Sequence, residues 1–118
     1  MGHMAVKFDE TRRAGELGVR TEANGNAIVV RAFGEIDFAS ADQLYVELCR
    51  AHADGASAIA LDLSEVTFID STGLGVLMKA VALSSENGKR FSIRPQLSAA
   101  VRRTLEVAGM VQQLPFAA

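Results

Sequence analysis

The chain has 118 residues, a net charge of −2 at neutral pH, 49% hydrophobic residues and 22% charged ones. That balance suits one folded domain with a core of its own and excludes global disorder. No basic run and no aromatic-basic interleaving occurs, which argues against nucleic acid as a direct partner.

The longest apolar stretch, Leu74 to Leu83, is interrupted by Gly75 and Lys79. It falls far short of the ~18 residues that a membrane helix needs, so no membrane insertion is expected. No basic segment followed by an apolar one opens the chain, so no signal peptide is expected. The single Cys49 has no internal disulfide partner and suits a reducing, cytoplasmic setting.

Within Met1-Gly2-His3-Met4, residues 1–3 read as a cloning remnant, with the natural start at Met4. Residues 5–16 are charged and aperiodic, as an N-terminal arm or a frayed strand would be, and the domain proper is expected over 17–118. Gly18 to Ala23 and Asn26 to Phe33 flank Asn24-Gly25, a dipeptide that tolerates the two positive φ angles of a type I′ turn, so a β-hairpin is predicted. Ser40-Ala41-Asp42-Gln43 has capping-box spacing. The helix it opens would bury Ala41, Leu44, Tyr45, Leu48 and His52, and end at Asp54-Gly55.

Ala58 to Leu63 is short, branched and apolar, as a central strand covered on both faces would be. Either Ser71 or Thr72 opens a second helix, running to about Glu86 with Leu74, Leu77, Met78, Val81 and Ala82 on its core face. Arg90 to Arg94 reads as a strand stopped by Pro95. Ser98 caps a last helix with Val101, Leu105 and Ala108 inward, and Val111 to Phe116 is a candidate edge strand. The fold class is α/β: a mixed four- to five-stranded sheet with parallel βαβ crossovers and three main helices, preceded by the hairpin. Parallel strands send their following loops to one end of the sheet. The loop with Asp37 and the turn with Ser71 should therefore lie side by side, where α/β sheets bind ligands.

Ser71 has two readings, a helix cap worth roughly 1 kcal/mol or a free hydroxyl if Thr72 caps instead. Gly73 and Gly75 sit in the first turn, where each costs ~1 kcal/mol against Ala. Either they keep the approach open for another protein's backbone or they permit close packing. Asp70 beside a hydroxyl suggests a base and a nucleophile. A nucleophilic serine needs a His or Lys base and an oxyanion hole, and His52 falls at the far end of the first helix, so no catalysis is expected. Cys49 and His52, at i and i+3, are two potential ligands and too few for a metal site. No phosphate-binding glycine-lysine motif is present, so no cofactor is expected.

Asp70-Ser71-Thr72-Gly73-Leu74-Gly75, preceded by Leu61-Asp62-Leu63-Ser64-Glu65-Val66-Thr67-Phe68-Ile69, resembles the STAS domain of bacterial anti-sigma factor antagonists. Gly34-Glu35-Ile36-Asp37 matches that family's second signature, and the resemblance runs from about Leu17 to the C-terminus. The resemblance implies phosphorylation at Ser71, with Asp37, Asp70, Thr72, Gly73, Leu74 and Gly75 meeting the partner. It further implies an anti-sigma factor with serine kinase activity as that partner, which uses its own ATP and magnesium. Binding would release a sigma factor, and a metal-dependent serine phosphatase would reset the cycle. The alternatives are a STAS subunit docking on a transporter ATPase in lipid trafficking and a stressosome-like scaffold.

Overall fold

A computed structural model describes residues 16–117. The remnant and, except for Glu16, the arm expected over 1–16 lie outside the described residues. The elements are β1 (Gly18–Asn24), β2 (Ala27–Ile36), α1 (Ala41–Ala53), β3 (Ala58–Ile69), α2 (Ser71–Glu86), β4 (Arg90–Ile93) and α3 (Ala99–Val107). The sheet order is β1-β2-β3-β4, with β1 antiparallel to β2 and the other pairs parallel. This is the expected mixed α/β architecture. The fifth strand shrinks to a single bridge between Ile93 and Phe116. Pro115 accepts from the Ile93 amide at 2.9 Å but has no N–H with which to extend a ladder.

The hairpin forms one residue later than predicted. Asn24 pairs with Ala27, so Gly25-Asn26 is the loop. Gly25 has φ +63°, and among the described residues no non-glycine residue has a positive φ. That is the pattern of a type II′ turn, in which only the first central position needs glycine's freedom.

β2 and β3 both outrun the predicted strands, pairing from Ala27–Ala58 to Ile36–Ile69. Two register shifts, at Arg31/Phe33 and Gly34/Glu35, each place one extra residue in β3. Val66 and Ile69 face the core while Ser64, Glu65, Thr67 and Phe68 face outward. The segment therefore lacks the continuous apolar run by which buried parallel strands are recognised.

The core joins Val30, Ile36, Ile59, Leu61 and Leu63 of the sheet to Leu44, Leu48 and Leu77 of the helices. α1 and α2 touch each other, as expected of consecutive crossovers that advance the same way across one sheet. α1 buries Ala41, Leu44, Leu48, Ala51 and His52, with Tyr45 half-buried beside them. The core face of α2 differs from the predicted one. Gly73, Leu77, Ala80 and Ser84 form the buried stripe with Leu74 and Val76, while Met78 and Ala82 are exposed and Val81 is half-buried. The small residues Gly73, Ala80 and Ser84, at i, i+7 and i+11, bring this helix close to its neighbours, and a search for large apolar side chains misses them. Ser98 does cap α3, accepting from the Val101 amide at 3.2 Å, but Ala108 lies just past the last turn and is exposed.

Three buried polar side chains are tied down inside this frame. His52 Nδ1 lies 2.7 Å from Leu48 O, and a carbonyl only accepts, so Nδ1 carries a proton. Its Nε2 meets Ser84 Oγ, which also lies 2.9 Å from Ala80 O. Asp62 bonds Arg31 at 2.8 Å and Arg94 at 3.5 Å, and accepts the Ser64 amide at 2.9 Å. Burial opposes its ionisation. The Ser64 hydrogen bonds and the two guanidinium groups outweigh that cost and hold its carboxyl below the usual range.

Candidate functional site at the carboxyl ends of β2 and β3

Because β2 and β3 are parallel and end level with each other, the segments that follow them emerge together, as expected. The Asp70 amide donates to Ile36 O at 3.1 Å. The Asp70 carboxylate then bridges the two segments. Oδ1 accepts from the Gly73 amide at 3.0 Å, and Oδ2 accepts from the Phe38 amide at 3.1 Å. Asp70 is extended, at φ −107° and ψ −173°, which is the backbone that aims a cap's side chain at the first turn.

Asp70, and neither Ser71 nor Thr72, is thus the cap of α2, which corrects both capping options read from the sequence. Ser71 and Thr72 are exposed, and neither hydroxyl is hydrogen-bonded to another described residue. A carboxylate serves the helix start better than a hydroxyl, because it adds charge attraction to the positive end of the helix dipole.

The capping box predicted at Ser40 does not form. Ser40 has φ −119° and ψ −12°, and its side chain caps no α1 amide. Its Oγ instead accepts the Asp37 amide at 3.0 Å and faces Asp37 Oδ1 at 3.0 Å and Glu35 O at 3.1 Å. Asp37 accepts the Ala39 amide on its carboxylate at 3.0 Å, and the Ser40 and Ala41 amides on its carbonyl at 3.0 and 2.8 Å. The Asp37–Ser40 segment is consequently a tightly bonded turn.

The two glycines part company. A Cβ on Gly73 would lie 2.6 Å from Ile69 Cγ1 and 2.8 Å from Ile36 Cγ2. Gly73 is buried, so its missing side chain makes room for the ends of β2 and β3, and of the two readings open for it close packing is the one the geometry supports. Gly75 is exposed, and a Cβ there would meet nothing within 4 Å. Leu74 is also buried and forms the floor under the turn. The surface left for contact is Ser71, Thr72 and Gly75, rimmed by the half-buried Asp37 and Asp70.

Sequence reasoning missed Phe38, which is 85% exposed beside this cap. Its signal was an aromatic residue standing alone in the turn next to Asp37. No group of three or more His, Cys, Asp or Glu side chains converges to hold a metal among the described residues. Both ring nitrogens of His52 are engaged in the interior. No helix of the described residues is long and apolar enough to cross a membrane. An open cleft between β1 and α1, lined in part by Glu22, Ile28, Glu47 and Arg50, lies at the opposite end of the strands from Ser71.

The model of the family described as Mlab, STAS domain matches residues 19–115. The chain is similar to an anti-sigma F factor antagonist of Paenibacillus polymyxa, 26% identical over 101 residues, covering 85% of this chain and 86% of the relative. It is also 28% identical over 94 residues to an anti-sigma-B factor antagonist of Staphylococcus aureus, covering 80% of this chain and 86% of that one. The crystal structure of an anti-sigma factor antagonist from Mycobacterium paratuberculosis superposes with a TM-score of 0.76 at 26% identity, over 86% of each chain. With nearly its whole described length matched, and with the sheet order and helix placement of such a domain, the chain belongs to the STAS domain family.

Proposed function

We propose that the chain is an anti-sigma factor antagonist, a protein ligand that binds an anti-sigma factor with serine kinase activity and so frees a sigma factor. Ser71 is the acceptor hydroxyl. The observation that carries this reading is the division of labour at α2: Asp70 caps the helix, so the adjacent Ser71 hydroxyl is exposed and uncommitted. Thr72 and Gly75 flank the approach, and Asp37 holds the neighbouring turn. The kinase supplies ATP and magnesium, a separate metal-dependent phosphatase removes the phosphate, and the chain itself performs no catalysis.

The switch works by charge. A phosphate on Ser71 gains up to ~2 kcal/mol from the helix N-terminus and loses about 1–4 kcal/mol to Asp70, depending on screening. These nearly cancel, so the fold survives and the effect falls on the partner. A group of charge about −1.5 to −2 trapped at an interface without a cation costs several kcal/mol. Even ~3 kcal/mol lowers affinity more than a hundredfold.

The test is to incubate the chain with magnesium-ATP and each histidine-kinase-like ATPase of its source organism. One phosphate is expected, abolished by Ser71→Ala and only weakened by Thr72→Ala. Peptide mass mapping that finds the phosphate on Thr72 or Ser64 would overturn the assignment. Tight binding to a transporter ATPase with no phosphoryl transfer would favour the lipid-trafficking reading instead.

A further inference from the structure

Phe38 is 85% exposed, and Val107 is the other strongly exposed large apolar side chain among the described residues, at 80%. Their settings differ. Val107 is the last residue of α3, where helices fray. Phe38 stands in the turn braced by Asp37 and Ser40, and its own amide is held by Asp70 Oδ2 at 3.1 Å. The same carboxylate caps the helix that begins at Ser71.

The geometry points to Phe38 as the apolar anchor of the partner surface, inserted into a hydrophobic pocket that the serine kinase carries beside its phosphoryl-transfer site, with Asp70 as the residue that positions it. The inference rests on Ser71 being the acceptor. Aromatic side chains dominate interface energetics when they fill a desolvated pocket. An anchor on an already ordered turn avoids most of the ordering cost of binding. Since one carboxylate fastens both the anchor and the helix start, the Phe38 backbone and the Ser71 backbone keep a fixed spacing. A partner gripping Phe38 thereby presents Ser71 at a defined place.

The probe is whichever ATPase phosphorylates Ser71 fastest in the preceding test, loaded with magnesium-ADP and titrated by calorimetry. Phe38→Ala is expected to raise Kd at least tenfold, to raise KM for phosphorylation with kcat unchanged, and to leave Tm unchanged. Phe38→Leu should keep binding within about threefold, and Val107→Ala should leave Kd unaltered. Asp70→Asn should speed hydrogen exchange at the Phe38 amide, since its side-chain NH2 cannot accept that bond. A Phe38→Ala protein that binds within twofold of the wild type, or that melts earlier, overturns the anchor while the kinase reading stands. If no ATPase binds or phosphorylates the wild type, that reading falls and the anchor falls with it.

Discussion

α2 carries serines near both ends, Ser71 in its first turn and Ser84 near its last, and they meet opposite surroundings. Ser84 is 2% exposed, and its hydroxyl lies between His52 Nε2 and Ala80 O, fastening α2 to α1. Ser71 is exposed and bonded to no described residue, because the carboxylate before it already serves the helix. The residue type is the same and the helix is the same. What separates a structural hydroxyl from an available one is whether neighbouring groups have used up its hydrogen-bonding capacity.

The sharpest way to break this contrast is to charge the exposed end. Ser71→Asp should lower affinity for the anti-sigma factor at least tenfold by calorimetry, while its stability stays within ~0.5 kcal/mol of wild type. A large loss of stability would show that Ser71 is structural after all. Next in size is Gly73→Ala, which forces a methyl group against Ile36 and Ile69 and should cost about 1–3 kcal/mol through overpacking. Gly75→Ala should instead keep or gain stability, by up to ~1 kcal/mol, while slowing phosphorylation. Thermal melts of the two variants, read beside their phosphorylation rates, test that division.

At the buried end, Ser84→Ala removes the partner of His52 Nε2 and should cost about 1–2 kcal/mol, whereas Ser71→Ala should be near neutral in the same denaturant titration. Equal effects would erase the distinction. The mildest test is acid. The Asp62 carboxyl has a folded pKa below its unfolded value, so its contribution is complete above about pH 4 and is lost as the pH falls through the folded value. Below pH ~4, stability should therefore fall more steeply in the wild type than in Asp62→Asn.

Element order, sheet direction and the meeting of Asp37 with the Ser71 turn were legible from period and crossover length, because those depend on runs of residues. The details that failed depend on choices between near-equal local options. Asp70, Ser71 and Thr72 are all competent caps, and the extended backbone at Asp70 decides among them. Ser40 has the spacing of a capping box, but Asp37 and Glu35 compete for its hydroxyl. Gly73 could not be decided between an approach and close packing because the two isoleucines that need its space lie on different strands, far apart in sequence. Phe38 escaped notice because a single apolar residue has no period.

The two register shifts in β3 carry a consequence for how such a chain can vary. With them, Ile69 ends level with Ile36 and Asp70 reaches the Phe38 amide. One residue more or fewer in β3 would turn Ile69 to the other side of the sheet and slide Asp70 by about 3.3 Å, beyond hydrogen-bonding reach. The interval from Ala58 to Asp70 is therefore a ruler. Insertions can lengthen the hairpin loop at Gly25-Asn26 without touching the Asp70 cap, but between these two points the count of residues itself decides whether the two loops are joined.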